Sequence, residues 1–198
     1  EALLPRLRSA KVLDADALAR LEVRAAQATL DSAADAAALE QAWKALNRKL
    51  RQRVELIEAY ARNGVRLGAS AAVESVLRKA LKSSWSASLV ALYGRLESPD
   101  PSAQLATLEK WLNERPEDAE LLLACGRLCL RSELWGKARS YLETSLAIRP
   151  RPETWRIYGE LLVKLGESGA ASDAFRQGLA AAADDTPALA PPTSDPRD

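Results

Sequence analysis

Apolar residues recur at helical spacing along almost the whole chain. Leu18, Leu21, Ala25 and Ala28 form one such stripe, and Leu121, Leu122, Cys125, Leu128 and Cys129 form another. No sustained alternation rich in Val, Ile or Thr interrupts them, and the dominant residues, Ala and Leu, are strong helix formers. Breaks come at short intervals: Gly64 and Gly68, Ser98-Pro99-Asp100-Pro101, Arg115-Pro116, Arg149-Pro150-Arg151-Pro152, Gly166 and Gly169. Asp100 before Pro101 fits an N-cap with proline in the first helical position, where a missing N–H costs nothing. The pattern predicts a series of helices of about 12–15 residues joined by tight turns.

Helices of that length cannot bury their stripes singly, so an internal repeat is expected. Gly126 and Gly159 are 33 residues apart, and the same offset carries Ala138 onto Ala171 and Leu142 onto Phe175. It also carries Leu122 onto Trp155 and Cys125 onto Tyr158, while Pro116 and Pro150 end successive units. Gly94 matches Gly126, Tyr93-Gly94 echoes Tyr158-Gly159, and Pro99–Pro101 reads as a shortened turn. Leu56, Tyr60, Ala72 and Val76 form a looser copy, and Ala26, Ala38 and Ala42 a weaker one. Gly126, Gly159, Ala138 and Ala171 are small so that the two helices of a hairpin can approach closely; Trp155, Leu142 and Phe175 fill the space between hairpins. Trp155-x₂-Tyr158-Gly159-x₂-Leu162 followed by Ala171-x₃-Phe175 resembles the tetratricopeptide (TPR) signature. The fold expected is all-α, a right-handed superhelical solenoid of TPR-like helical hairpins. Residues 1–50 are expected to be less regular helices, with a degenerate repeat among them. Residues 51–182 are expected to be an array of about four hairpins, and 183–198 a disordered Pro-rich tail.

Composition then narrows the chemistry. The 198 residues contain no His, which removes the imidazole base, the Ser/His and Cys/His nucleophile pairs and the His-ligated metal. Two Cys exclude a Cys₄ zinc site and a disulfide-dense scaffold. The 28 basic and 27 acidic residues nearly cancel, which argues against a nucleic-acid binder. The absence of Met predicts a fragment of a longer protein, and no run of about 18 apolar residues is present to span a membrane.

Further stretches sharpen the resemblance. Leu89-Val90-Ala91-Leu92-Tyr93-Gly94-Arg95-Leu96, Leu108-Glu109-Lys110-Trp111-Leu112, Leu134-Trp135-Gly136-Lys137-Ala138-Arg139 and Arg149-Pro150-Arg151-Pro152-Glu153 are similar to the C-terminal soluble region of the HemY family. These are the haem-biosynthesis-associated TPR proteins of proteobacteria. The resemblance implies an N-terminal membrane anchor outside this chain and a role near the late steps of haem synthesis. It also implies a location at the inner membrane, with the soluble domain on the cytoplasmic side. It implies no relation to the flavin-dependent oxidases that share the family's name, and no Gly-x-Gly-x-x-Gly fingerprint occurs.

In a TPR array the first helix of each hairpin lines a concave groove. The repeat frame places Val54, Ile57 and Ala61 there, then Ser88, Ala91 and Arg95. Leu123, Arg127, Leu130 and Arg131 follow, and then Arg156 and Glu160. Arg95, Arg127 and Arg131 are expected to form a guanidinium patch for carboxylates, from a partner's acidic segment or from tetrapyrrole propionates. Cys125 and Cys129 read as core-facing, with a thiolate ligand pair as the alternative. Trp155 reads as packing, whereas Trp85 and Trp135 fall near turns and are open as ligand or interface aromatics. Residues 44–82 hold ten Lys or Arg against three Glu, a local charge of +7 that suits an anionic surface or an acidic partner.

The function expected is a non-catalytic scaffold for protein–protein interaction, with no metal or resident cofactor. Its partners would be a protein segment, by resemblance from haem-synthesis enzymes, and no nucleic acid. The alternative is direct haem or porphyrin binding; catalysis of a porphyrin oxidation is the least favoured.

Overall fold

The computed structural model describes residues 14–184. Ten α-helices and one 3-10 turn make up these residues, and the fold is all-α, as the apolar spacing predicts. The start of the stretch 1–50 and the expected tail from residue 185 onward lie outside the described residues. The chain divides between Arg115 and Pro116 into two compact units. No helix among the described residues is long and apolar enough to cross a membrane.

The first unit contains α1 (Ala15–Asp31), α2 (Ala36–Ala45), a 3-10 turn (Leu50–Gln52), α3 (Val54–Leu67), α4 (Ser70–Ser83), α5 (Ala87–Arg95) and α6 (Pro101–Glu114). Three of these helices open on an aspartate whose side chain accepts a backbone N–H of the first turn. Asp14 accepts from Ala17 at 2.6 Å, Asp35 from Ala38 at 2.8 Å and Asp100 from Ala103 at 2.9 Å. Each satisfies one of the donors that a helix start leaves unpaired. Helix α3 is the centre of the unit, because α1, α2, α4 and α5 all pack on it. Its Leu56, Ile57, Ala59, Tyr60, Ala61, Asn63 and Gly64 are buried. Trp43 of α2 stacks on Tyr60 with ring centroids 4.4 Å apart. Buried Asn63 donates to Asp31 Oδ1 at 2.7 Å, and Arg66 donates to the Ala33 carbonyl, so α3 is tied to the α1–α2 turn. Buried Gln104 of α6 donates to the Tyr93 and Leu96 carbonyls at the end of α5, tying the start of α6 to that helix end.

Gly64 stands among the sequence breaks, yet it lies inside α3. A Cβ there would sit 2.3 Å from Cγ2 of Val73 on α4, so Gly64 is where these two helices meet. The break belongs to Gly68, which takes the left-handed conformation at φ 70.

The second unit contains α7 (Ala119–Arg131), α8 (Trp135–Ile148), α9 (Pro152–Lys164) and α10 (Ser168–Asp184). Helices α7 and α8 form one hairpin, α9 and α10 form the next, and α8 packs on α9. The 33-residue frame is realised in contacts. A Cβ on Gly126 would lie 2.6 Å from Leu142 Cγ, and one on Gly159 would lie 2.5 Å from the Phe175 ring. Ala138 and Ala171 are buried beside them. Trp155 and Tyr158 pack against the small core of Leu162, Ala171 and Ala174. Cys125 and Cys129 are both buried and are not joined by a disulfide.

Three inter-helix turns share one device: the amide after the left-handed residue donates to the carbonyl five residues back. The bonds are Ala69 to Gly64, Leu134 to Cys129 and Glu167 to Leu162, at 2.8–2.9 Å. The left-handed residues are Gly68, Glu133 and Gly166, at φ 70, 58 and 78. Glu133 is thus the exception, a side-chain-bearing residue where glycine is the easy choice.

Candidate functional site

The second unit carries an open recess of about 450 Å³ in which several of the expected groove residues meet. Arg127, Leu130 and Arg131 come from the last turns of α7, Glu133 from the turn and Trp135 from the first residue of α8. Ile157, Glu160 and Lys164 come from α9, spaced three and four residues apart on one face. Leu130, Trp135 and Ile157 form an apolar floor. Three cations and two carboxylates stand around it.

The charged side chains differ in their surroundings. Arg127 donates to Glu153 Oε1 at 2.8 Å with both side chains mostly buried, so one arm of its guanidinium is already matched. Arg131 is exposed. Glu160 also accepts from Arg156, one turn away along α9. The recess is therefore nearly balanced in charge with an apolar centre, rather than a plain guanidinium cluster. Deeper in the unit, Arg151 pairs with Glu120 at 2.5 Å, while its Nε and Nη2 are buried without partners.

The remaining expected groove residues are placed elsewhere. Ile57, Ala61 and Leu123, which the repeat frame places along the groove, are 6%, 0% and 1% exposed. For Ile57 and Ala61 the reason is that α3 is enclosed by four other helices, which leaves that face no groove to line. Ala91 is half-buried and Arg95 is exposed on the last turn of α5, both in the first unit. Arg127 and Arg131 are brought together in the second unit, so the three arginines are divided between the two. Arg156 is exposed and ion-paired.

The residues expected to pack differ in their burial. Tyr93, Gly94, Gly126, Ala138, Leu142, Gly159 and Ala171 are buried and Trp155 and Tyr158 partly so. Phe175 lies over Gly159 yet keeps 36% of its surface exposed, because α10 is the last described helix. The Tyr158 hydroxyl donates to Glu143 Oε1 at 2.7 Å; burial, then that bond to a carboxylate, pushes the phenol up to about 12.

The spacing of residues did not reveal a second recess, of about 550 Å³, in the first unit. It lies between the C-terminal half of α4 and α6 and gathers Trp85, Trp111 and four cations. Trp85 and Trp111 are 26 positions apart in the chain, and only the return of α6 onto α5 brings them edge to face at 5.6 Å. The run of basic residues up to Lys82 and the turn-adjacent Trp85 were the visible signals for this place.

No family model matches the chain, and no curated protein does. Solved structures do resemble it. TTC0263, a thermophilic TPR protein of Thermus thermophilus, is 20% identical with a TM-score of 0.57, over 76% of this chain and 82% of that one. The 41-end portion of MamA from Desulfovibrio magneticus RS-1 is 15% identical with a TM-score of 0.53, over 85% of this chain and 97% of that one. At such identities the likeness speaks to architecture, and with the glycine crossings above it makes this an all-α chain of TPR-like helical hairpins.

Proposed function

We propose that the chain is a non-catalytic docking module whose second unit takes a short segment of a protein partner. The observation that carries this reading is the recess of Leu130, Trp135 and Ile157, rimmed by Arg131 and Glu133 from the end of α7 and its turn and by Glu160 and Lys164 from α9. An apolar anchor from the partner would rest on Trp135 and Ile157, the kind of aromatic contact that dominates interface energetics. A carboxylate beside that anchor would pair with Arg131, whose planar fork suits bidentate recognition. Arg127 then acts mainly through its bond to Glu153, which holds α7 against the start of α9.

The finer reading places the partner among enzymes of late haem or porphyrin synthesis at the inner membrane, through an anchor outside this chain. The resemblance of Leu89–Leu96 and Arg149–Glu153 to HemY supports it. A second reading, direct binding of a porphyrin, draws on Trp135 standing beside Arg127 and Arg131 in the same recess. With no His in the chain, such a ligand would be held by stacking and propionate contacts.

Panning short random peptides against the chain tests the docking reading. Bound sequences should share an apolar or aromatic residue next to Asp or Glu. They should lose about tenfold or more in affinity, roughly 1.4 kcal/mol, to the Trp135→Ala/Arg131→Glu variant. Peptides that bind that variant as well as the parent chain would dispose of this site. A parallel titration with protoporphyrin, read from its Soret band, separates the second reading from the first.

A further inference from the structure

The first unit's recess has a different character from the docking recess. Arg78 and Lys82 stand one turn apart on α4, Lys110 stands on α6, and Arg115 caps the end of α6. These four cations line a recess of about 550 Å³, within the range of small-molecule pockets, about 300–1,000 Å³. The one carboxylate at the rim, Glu114, is held by Arg115 at 3.1 Å. Neither Lys82 nor Lys110 forms an ion pair among the described residues, and both are exposed.

The floor of this recess is aromatic. Trp85 and Trp111 meet edge to face at 5.6 Å, and Trp111 is braced from below by buried Tyr93 at 5.1 Å. The Arg115 guanidinium sits 4.1 Å above the Trp85 ring, a stacked cation that already marks one face of the indole as a π-surface. A bare anion would use the cations and waste the indoles. A neutral ring would use the indoles and leave several like charges crowded together. An acidic chain or a nucleic-acid strand would call for cations spread along a track, whereas these converge on one place.

We propose that this recess binds a small planar aromatic molecule carrying two or more carboxylates or phosphates. Its ring packs in the corner that the two nearly perpendicular indoles make, against the face of one and the edge of the other, and its anionic groups meet Lys82, Lys110 and Arg78. The site lies wholly within the first unit and does not depend on the peptide recess of the second.

The test uses the whole chain and the indole N–H resonances of its five tryptophans. The probes are ATP and benzene-1,3,5-tricarboxylate as ringed polyanions, inorganic triphosphate and polyglutamate as anions without a ring, and adenosine as a ring without charge. Either ringed polyanion should shift the Trp85 and Trp111 signals saturably. It should bind about tenfold or more tighter than the three controls, and the tighter of the two names the source of the anion. Lys82→Glu/Lys110→Glu should weaken binding by about tenfold or more. Glu114→Gln should tighten it, a gain that damage to the fold would not produce. Triphosphate or polyglutamate binding as tightly as the ringed probes would overturn the proposal. So would shifts confined to Trp43, Trp135 or Trp155, or no saturable shift with any probe.

Discussion

Replacing Leu142 with alanine should lower the stability of the second unit by about 2–5 kcal/mol, and adding Gly126→Ala should return part of that loss. Leu142 is fully buried and lies directly over Gly126, where a new Cβ would stand 2.6 Å from Cγ and 2.7 Å from Cδ2. Gly126→Ala by itself therefore overpacks, at about 1–3 kcal/mol, against a helix-propensity gain of about 1 kcal/mol. The clashing atom is the branch point of a buried side chain, which has nowhere to go. Once Leu142 is shortened, the added methyl enters the vacated space and the two changes compensate. Urea midpoints in a double-mutant cycle measure this directly. Additive losses would mean that the two residues do not share one contact. Gly159→Ala is the contrasting case: the ring it meets belongs to Phe175, 36% exposed and able to swing outward, so its cost should be smaller.

The first unit should lose about 3–5 kcal/mol on Tyr93→Ala, since a wholly buried aromatic leaves a large cavity. Tyr93→Phe isolates the hydroxyl, which donates to Glu74 Oε1 at 3.1 Å. Its cost should be about 1 kcal/mol, because Glu74 keeps a second bond from Ser98 at 2.7 Å. Burial, and then the charge of Glu74, hold the Tyr93 phenol well above its ordinary range. The folded state thus favours the neutral ring. The stability this contributes is complete below about pH 10, the ordinary phenol value, and is lost as pH rises beyond it. Tyr158 acts with the same sign between about pH 10 and its raised value of about 12. Melting temperatures measured above pH 10 should fall less steeply in Tyr93→Phe than in the parent chain. Identical alkaline slopes would rule out the buried phenol as their source.

The second unit was legible in the sequence because its hairpins are spaced evenly. Gly126 meets Leu142 and Gly159 meets Phe175, each sixteen positions on, so one alignment exposes both crossings. Gly64 meets Val73, only nine positions on, through a tighter turn. No alignment to the later repeats finds that contact, which is why Gly64 reads as a break. The groove was legible only in part. Arg127, Arg131 and Glu160 share a recess, but position in a repeat does not report that α3 is enclosed by its neighbours, which buries Ile57 and Ala61. The pairing of Arg127 with Glu153 was equally invisible, because it joins residues 26 apart through a turn of the fold. Trp85, Trp111 and Arg115 assemble for the same reason: the long-range return of a helix, not a local period, sets their neighbours.

Among the three matching turns, only the one at Glu133 forgoes glycine. A glycine there would relax the backbone by about 1 kcal/mol, and it would also strip a negative charge from the rim of the recess we propose for docking. Robustness and discrimination are thereby coupled at one position. Descendants selected only for heat resistance would be drawn toward glycine at 133, and would become less choosy about acidic visitors as they did so.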